Sequence, residues 1–279
     1  MTLEIITMQE THLDQAYLLT QKLKWPHRRK DWQQAWQSGE GVVAEQEGTV
    51  LGTAICWRWG GDYASTGLII VAEEAQGKGT GTRLMQTILD KLQGMNVRLH
   101  ATEMGRGLYE KLGFVASGRV WQHQTPELRQ ITPVQPGKKQ RLRQASAGDS
   151  TRLVELDLRA HGQYRTTLIN NLLQHAQHNL LLEEEGIVQG FASLRYFGHG
   201  YIIGPVICKD LSAAKVLVSA FLVNLQGQFV RMDTPESGLS AWLAACGLHE
   251  VDGPVAMIRG TSWQPAGMLT FGLMTQAMA

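Results

Sequence analysis

The residues of this chain best suited to chemistry are Gln76, Gly77, Lys78, Gly79, Thr80, Gly81 and Thr82, a glycine-rich run carrying one lysine and two hydroxyls. Glycines at 77, 79 and 81 let the backbone enter left-handed conformations and approach a ligand closely, so that several N–H groups converge on it. An apolar strand, Leu68 to Val71, leads into the run. An amphipathic helix leaves it near Thr80, with Leu84, Met85, Ile88, Leu89 and Leu92 along one stripe. The positive end of that helix faces the turn, and strand, turn and helix together make a seat for a phosphate.

Spacing removes two better-known phosphate loops. A GxxxxGK loop followed by Ser or Thr is excluded because Lys78 stands between two glycines. A GxGxxG dinucleotide loop is excluded because Thr82 and Leu84 occupy the positions of the third glycine. What remains is QxxGxG, carried by Gln76, Gly79 and Gly81, which resembles the pyrophosphate loop of the GCN5-related N-acetyltransferases (GNATs). Downstream, the LYEKLGF run ending at Phe114 is similar to the family's late helix and following strand. Leu108 and Leu112 share a helical face there, and Gly113 sits where a helix ends in the left-handed conformation. Taken alone, the first motif could be a loop that only turns the chain.

The resemblance implies an N-acyltransferase that uses acetyl-CoA as co-substrate, holds no metal, and acts on an amine acceptor. The pyrophosphate would lie on residues 76–82. The pantetheine arm would pair with the backbone near Ile69, Ile70 and Val71 like an added strand. An N–H at Ile70 or Val71 would polarise the thioester carbonyl. Tyr109, the tyrosine of LYEKLGF, would protonate the departing thiolate; a phenol with a reference pKa of about 10 keeps its proton at neutral pH. The plainer reading of Tyr109 is a half-buried phenol bonded to a backbone carbonyl.

The expected acceptor is the primary amine of a small molecule. A protein N-terminus or lysine side chain is the second enzymatic reading, and an acyl-CoA-binding sensor or assembly protein is a third that would need only the loop. Many relatives carry a basic carboxylate on the strand before the loop, but residues 67–71 have none. His27, Asp62 and His100 are the candidate bases. Acceptor selection in this fold falls to the connection between the first two helices, here Lys24 to Lys30, with Trp25, His27, Arg28 and Arg29 as the candidate contacts. Its cations, with Trp32, Trp36, Trp57 and Trp59 nearby, could hold an acidic or aromatic acceptor; the alternative is a solvated turn before a tryptophan-anchored core helix.

These parts need a scaffold, and a chain of 279 residues is long enough for two domains. The expected class is α/β (α+β), with two tandem GNAT-like domains, each a mixed, mostly antiparallel sheet flanked by helices. Residues 1–125 form the acetyl-CoA domain, 126–139 a proline-bearing linker, and 140–279 a second copy. In both halves the order is strand, two helices, three strands, helix, strand, helix, strand. In the first half the leading segments are Leu3 to Thr7, helices near Glu10 to Lys22 and Arg29 to Gln37, then strands Val42 to Glu45, Val50 to Trp59 and Tyr63 to Val71. In the second they are Gln140 to Gln144, Asp149 to Ala160, Tyr164 to Ala176, Asn179 to Glu183, Ile187 to Tyr196 and Tyr201 to Ile207. Where the first half has its glycine loop, the second has Cys208, Lys209, Asp210, Leu211 and Ser212; opposite Tyr109 it has Leu243. The second copy is therefore expected to be degenerate.

A formal net charge of +1 gives no overall bias toward nucleic acid or membrane. Cys56, Cys208 and Cys246 lack CxxC spacing, and His175 with His178 lacks a third ligand, so no disulfide framework or metal site is expected. The start of the chain has no signal-like segment, which makes the cytoplasm the expected location; a monomer or homodimer is the expected state. The apolar tail, Met268 to Met278, is read as core or interdomain packing.

Overall fold

The computed structural model describes residues 2–278. The first half runs β1 (Glu4–Thr7), α1 (Leu13–Lys22), α2 (Arg29–Gln37), β2 (Glu40–Gln46), β3 (Thr49–Trp59), β4 (Tyr63–Val71), α3 (Thr80–Lys91), β5 (Asn96–Ala101), α4 (Glu103–Lys111), β6 (Val115–Arg119) and β7 (Trp121–Thr125). The second runs β8 (Gln140–Gln144), α5 (Ser150–His161), α6 (Thr166–His175), β9 (His178–Glu184), β10 (Ile187–Phe197), β11 (Gly200–Cys208), α7 (Leu211–Leu222), β12 (Val230–Thr234), α8 (Ser237–Ala245), β13 (His249–Asp252), β14 (Val255–Arg259) and β15 (Leu269–Gly272). The repeat read from the sequence is present; beyond it the first half adds β7, and the second adds β14 and β15.

The strands form two mixed sheets, ordered β1-β2-β3-β4-β5-β14-β6 and β13-β7-β12-β11-β10-β9-β8, with β15 pairing β11. The compact units are not divided at the linker. Of the described residues, one comprises 2–117, 257–261 and 277–278; the other comprises 118–256 and 262–276. The reason is an exchange: β14 lies between β5 and β6 in the first sheet, and β7 lies between β13 and β12 in the second. Residues 126–139 are irregular, as their prolines require, yet Leu128 is buried and Ile131 and Val134 pack on the core of the second unit. That segment is packed coil rather than a free tether.

In the first unit, apolar alternation on the strands builds a core on both faces of the sheet. On β3, Trp57 donates its indole N–H to the Ala35 carbonyl of α2 at 2.9 Å, which fixes the face of Thr53, Ile55 and Trp57 toward α2. Gly52 looks the other way, where a Cβ would meet Leu84 of α3 at 3.0 Å. Helices α2 and α3 thus cover opposite faces. Among the described residues no helix is long and apolar enough to cross a membrane, and no cluster of three His, Cys, Asp or Glu is arranged for a metal.

Candidate active site

The glycine turn has the geometry of an anion seat. Gly77 and Gly79 have φ of +70° and +77°, and nothing lies within 4 Å of a Cβ built on either, so both face open space. Gly79 is the N-cap of α3, and the first-turn amides of Thr80, Gly81 and Thr82 precede any intrahelical acceptor. Three side chains close the turn on itself. Gln76 Nε2 donates to the Val71 carbonyl at 2.9 Å, the buried Thr80 hydroxyl to the Ala75 carbonyl at 2.9 Å, and Lys78 Nζ to the Glu74 carbonyl at 2.8 Å. Gly81 departs from the sequence expectation, since it lies within α3 and has no positive φ. A Cβ there would stand 3.2 Å from Leu108 Cδ2, so its role is to let α4 approach the start of α3.

Strand β4 parts from β5 beside this turn. Their parallel ladder runs only from Tyr63 opposite Asn96 to Ser65 opposite Arg98, so Ile69, Ile70 and Val71 lie on a stretch without a strand partner on that side. A bulge accompanies the separation: between the Ile55–Gly67 and Thr53–Ile70 pairs β4 has one extra residue. Leu68 sits in it at φ +52°, and the Thr53 hydroxyl donates to the Leu68 carbonyl at 2.7 Å. Sequence reasoning missed Thr53 and Leu68, because neither residue type announces a bulge.

Tyr109 lies on α4, 6% exposed, with its ring edge-on to Phe114 at 6.1 Å. It is more deeply buried than expected. A Cβ on Gly105 would be 3.4 Å from the phenol oxygen, and the hydroxyl forms no hydrogen bond among the described residues. Burial pushes the phenol up to about 12, which keeps the proton on oxygen at any physiological pH.

The candidate acceptor residues are arranged differently from a free cationic rim. Arg28 grips the buried Asp31 through Nη2 at 2.6 Å and Nε at 3.0 Å, and Arg29 bonds Asp14 at 2.8 Å. Their charges are compensated within the helix pair. Trp25 and His27 stack at a tilted 5.9 Å and are half-buried. Trp32, Trp57 and Trp59 belong to the core, with indole bonds to Thr20, Ala35 and Ser65. Of the candidate bases, Asp62 is in the β3–β4 turn, at the opposite end of β4 from Val71. His100 is half-buried on β5, two residues beyond Arg98, on the lip facing the open part of β4.

The second unit repeats the frame with its site filled. β11 pairs β12 in parallel only at Tyr201 and Ile202, and its far end, Val206 to Cys208, pairs antiparallel with β15. The chain itself therefore occupies the edge that β4 leaves open. At the start of α7 the Asp210 carboxylate accepts the Ala213 amide at 2.8 Å, so the helix end already holds an anion. Leu243, the counterpart of Tyr109, is wholly buried.

Comparison with known proteins agrees with this duplicated architecture. The acetyltransferase (GNAT) domain family matches residues 37–116 and, through a second family description of the same kind, residues 153–271. The chain is 24% identical over 256 residues to the uncharacterised N-acetyltransferase YitH of Bacillus subtilis, covering 90% of this chain and 89% of that one. It is 25% identical over 203 residues to the holothin acyltransferase of a Pseudoalteromonas species, covering 71% and 67%. In fold it is similar to a Pyrococcus horikoshii protein assigned as an acetyltransferase (TM-score 0.78, 18% identity, 99% and 96% covered). It is also similar to a tandem GNAT protein of the clavulanic acid biosynthesis pathway (TM-score 0.64, 14% identity, 95% and 99% covered). With an anion turn and open strand in its first copy and a filled cleft in its second, the chain belongs to the GCN5-related N-acetyltransferase (GNAT) family of acyltransferases, as a tandem member with one degenerate domain.

Proposed function

We propose that the first domain transfers the acetyl group of acetyl-CoA to a primary amine of a small molecule. The observation that carries this reading is the open edge of β4 running directly into the left-handed glycine turn, which offers backbone partners to a pantetheine amide and N–H groups to a pyrophosphate in one continuous line. Ile69, Ile70 and Val71 would bind the arm; Gln76, Gly77, Lys78, Gly79, Thr80, Gly81 and Thr82 would form and line the phosphate seat. The neutral amine nitrogen attacks the thioester carbon, the carbonyl oxygen takes up negative charge beside a β4 amide, and the C–S bond breaks as the intermediate collapses. The thiolate takes its proton from Tyr109, and the amine proton leaves to His100 or to water. A relative named for acyl transfer to holothin supports a small-molecule acceptor over a protein. Trp25 and His27, half-buried between the first two helices, are the residues assigned to acceptor contact, with Arg28 and Arg29 shaping that turn through their carboxylate partners.

Titration of acetyl-CoA into the purified chain by calorimetry, beside a Gly79→Glu variant, tests the reading. One saturable site per chain, lost in the variant, is the expected result. Absence of binding to the unaltered chain would leave the fold intact and remove the enzyme.

A further inference from the structure

We propose that the last described residues, Ala277 and Met278, form a wall of the acceptor-amine site and set its width; the inference rests on the acetyl-transfer reading above. Their compact unit is the one that contains the glycine turn. Their seat is Gly67 on β4. A Cβ built there would come within 2.6 Å of Ala277 Cβ and 2.7 Å of its Cα, so a glycine is what allows the tail to lie against the strand. Met278 is 7% exposed, and the tail is therefore packed rather than trailing in solvent.

The register says which face the tail covers. Ile55 pairs with Gly67 and Trp57 with Ser65, and paired residues of antiparallel strands share a face. Trp57 is bonded to α2, so Gly67 and Ala277 are on the α2 face of the sheet, opposite α3. An acyl donor whose phosphates rest at the start of α3 reaches the bulge from the α3 end of β4. Its thioester carbon is then open to an amine from the α2 face, where orientation has to be imposed on the nucleophile. Gly67 adjoins the bulged Leu68, and His100 stands at the corresponding position on the β5 lip, since each is two residues past the last ladder pair, Ser65 and Arg98. An amine approaching the bulge between these lips passes the tail.

Two variants test the wall: a chain ending at Thr275, and Ala277→Leu in the full chain. Each is assayed for free CoA release with ethylamine, octylamine, phenethylamine and tryptamine, for hydrolysis of acetyl-CoA without amine, and for acetyl-CoA affinity by calorimetry. Truncation should leave acetyl-CoA affinity within about twofold and raise the kcat/KM ratio of tryptamine to ethylamine about tenfold, the size expected when a pocket gains room for a few carbons. Ala277→Leu should move that ratio the other way. Hydrolysis should rise several-fold in the truncated chain because water gains the vacated face. Unchanged amine ranking together with unchanged hydrolysis would overturn the wall. A uniform rise of kcat on every amine would overturn it too, and would identify the tail as a plug. Failure of the unaltered chain to bind acetyl-CoA would remove the parent reading, an outcome the calorimetry separates from the others.

Discussion

Thr53 holds Leu68 in place: its buried hydroxyl donates to the Leu68 carbonyl at 2.7 Å, and that residue stands at φ +52° in the bulge of β4. A left-handed leucine costs about 1–2 kcal/mol, so the bulge persists because its surroundings over-determine it. Thr53→Val keeps the shape and removes the donor, leaving a buried carbonyl without its partner at a cost of about 1–3 kcal/mol. The expected result is a lower melting temperature and slower acetyl transfer, both restored by Thr53→Ser. Transfer at the original rate in Thr53→Val would mean that the bulge needs no hydroxyl.

Tyr109 yields a prediction about rate and one about pH. Tyr109→Phe should keep acetyl-CoA affinity while kcat falls about 10²–10³-fold, within the range for loss of a positioned proton donor. Its phenol is raised by burial from 10.0 to about 12. The unfolded chain loses this proton first as the pH climbs past 10, so stability falls with rising pH between about 10 and 12 and is unaffected below that window. Melts of wild type and Tyr109→Phe at pH 9 and pH 11 should show the smaller alkaline loss in the phenylalanine variant. Equal losses would mean that the ring is not desolvated in solution.

Asp210 caps α7 through the Ala213 amide, and Asp210→Ala should destabilise the chain by about 1 kcal/mol. It should not create a second acetyl-CoA site, because β15 still covers Val206 to Cys208. Calorimetric stoichiometry decides the point: one molecule per chain is expected in the variant, and two would show that β15 yields to the ligand.

Arg28 and Arg29 should behave as stability residues. Arg28→Ala leaves Asp31, whose side chain is 5% exposed, without its fork, at a cost of about 1–3 kcal/mol. Arg29→Ala breaks an exposed pair with Asp14, worth under about 1 kcal/mol, and a long 3.4 Å bond to the Gln33 side-chain oxygen. Acceptor KM is expected to stay within about twofold in both. A large rise in KM with an unchanged melt would return the guanidinium groups to the substrate.

Much of the frame was legible because it is local. The turn from Gln76 to Thr82, the helix after it and the strand before it follow from glycine placement and apolar period, and residues 29–37 and 63–71 fall where the pattern put them. The bulge at Leu68 was not legible, since it depends on a hydroxyl fifteen residues away in sequence that reads as one more strand threonine. Nor were the ion pairs of Arg28 and Arg29, because a basic turn looks the same whether its charges meet carboxylates or water. The match of Gly67 with Ala277 joins residues 210 positions apart, and no periodicity encodes it.

The exchange of β7 and β14 constrains what a gene of this kind can discard. A chain stopped before residue 140 would keep the whole glycine turn and lose β14, so its own β7 would have to fold back between β5 and β6, the slot equivalent to its present place between β12 and β13; otherwise two bare edges remain where aggregation starts. The second copy, which lacks the glycine turn, still lends a strand to the sheet that has one. Its deletion is tolerated only if β7 reverses the exchange and returns to the sheet of its own half.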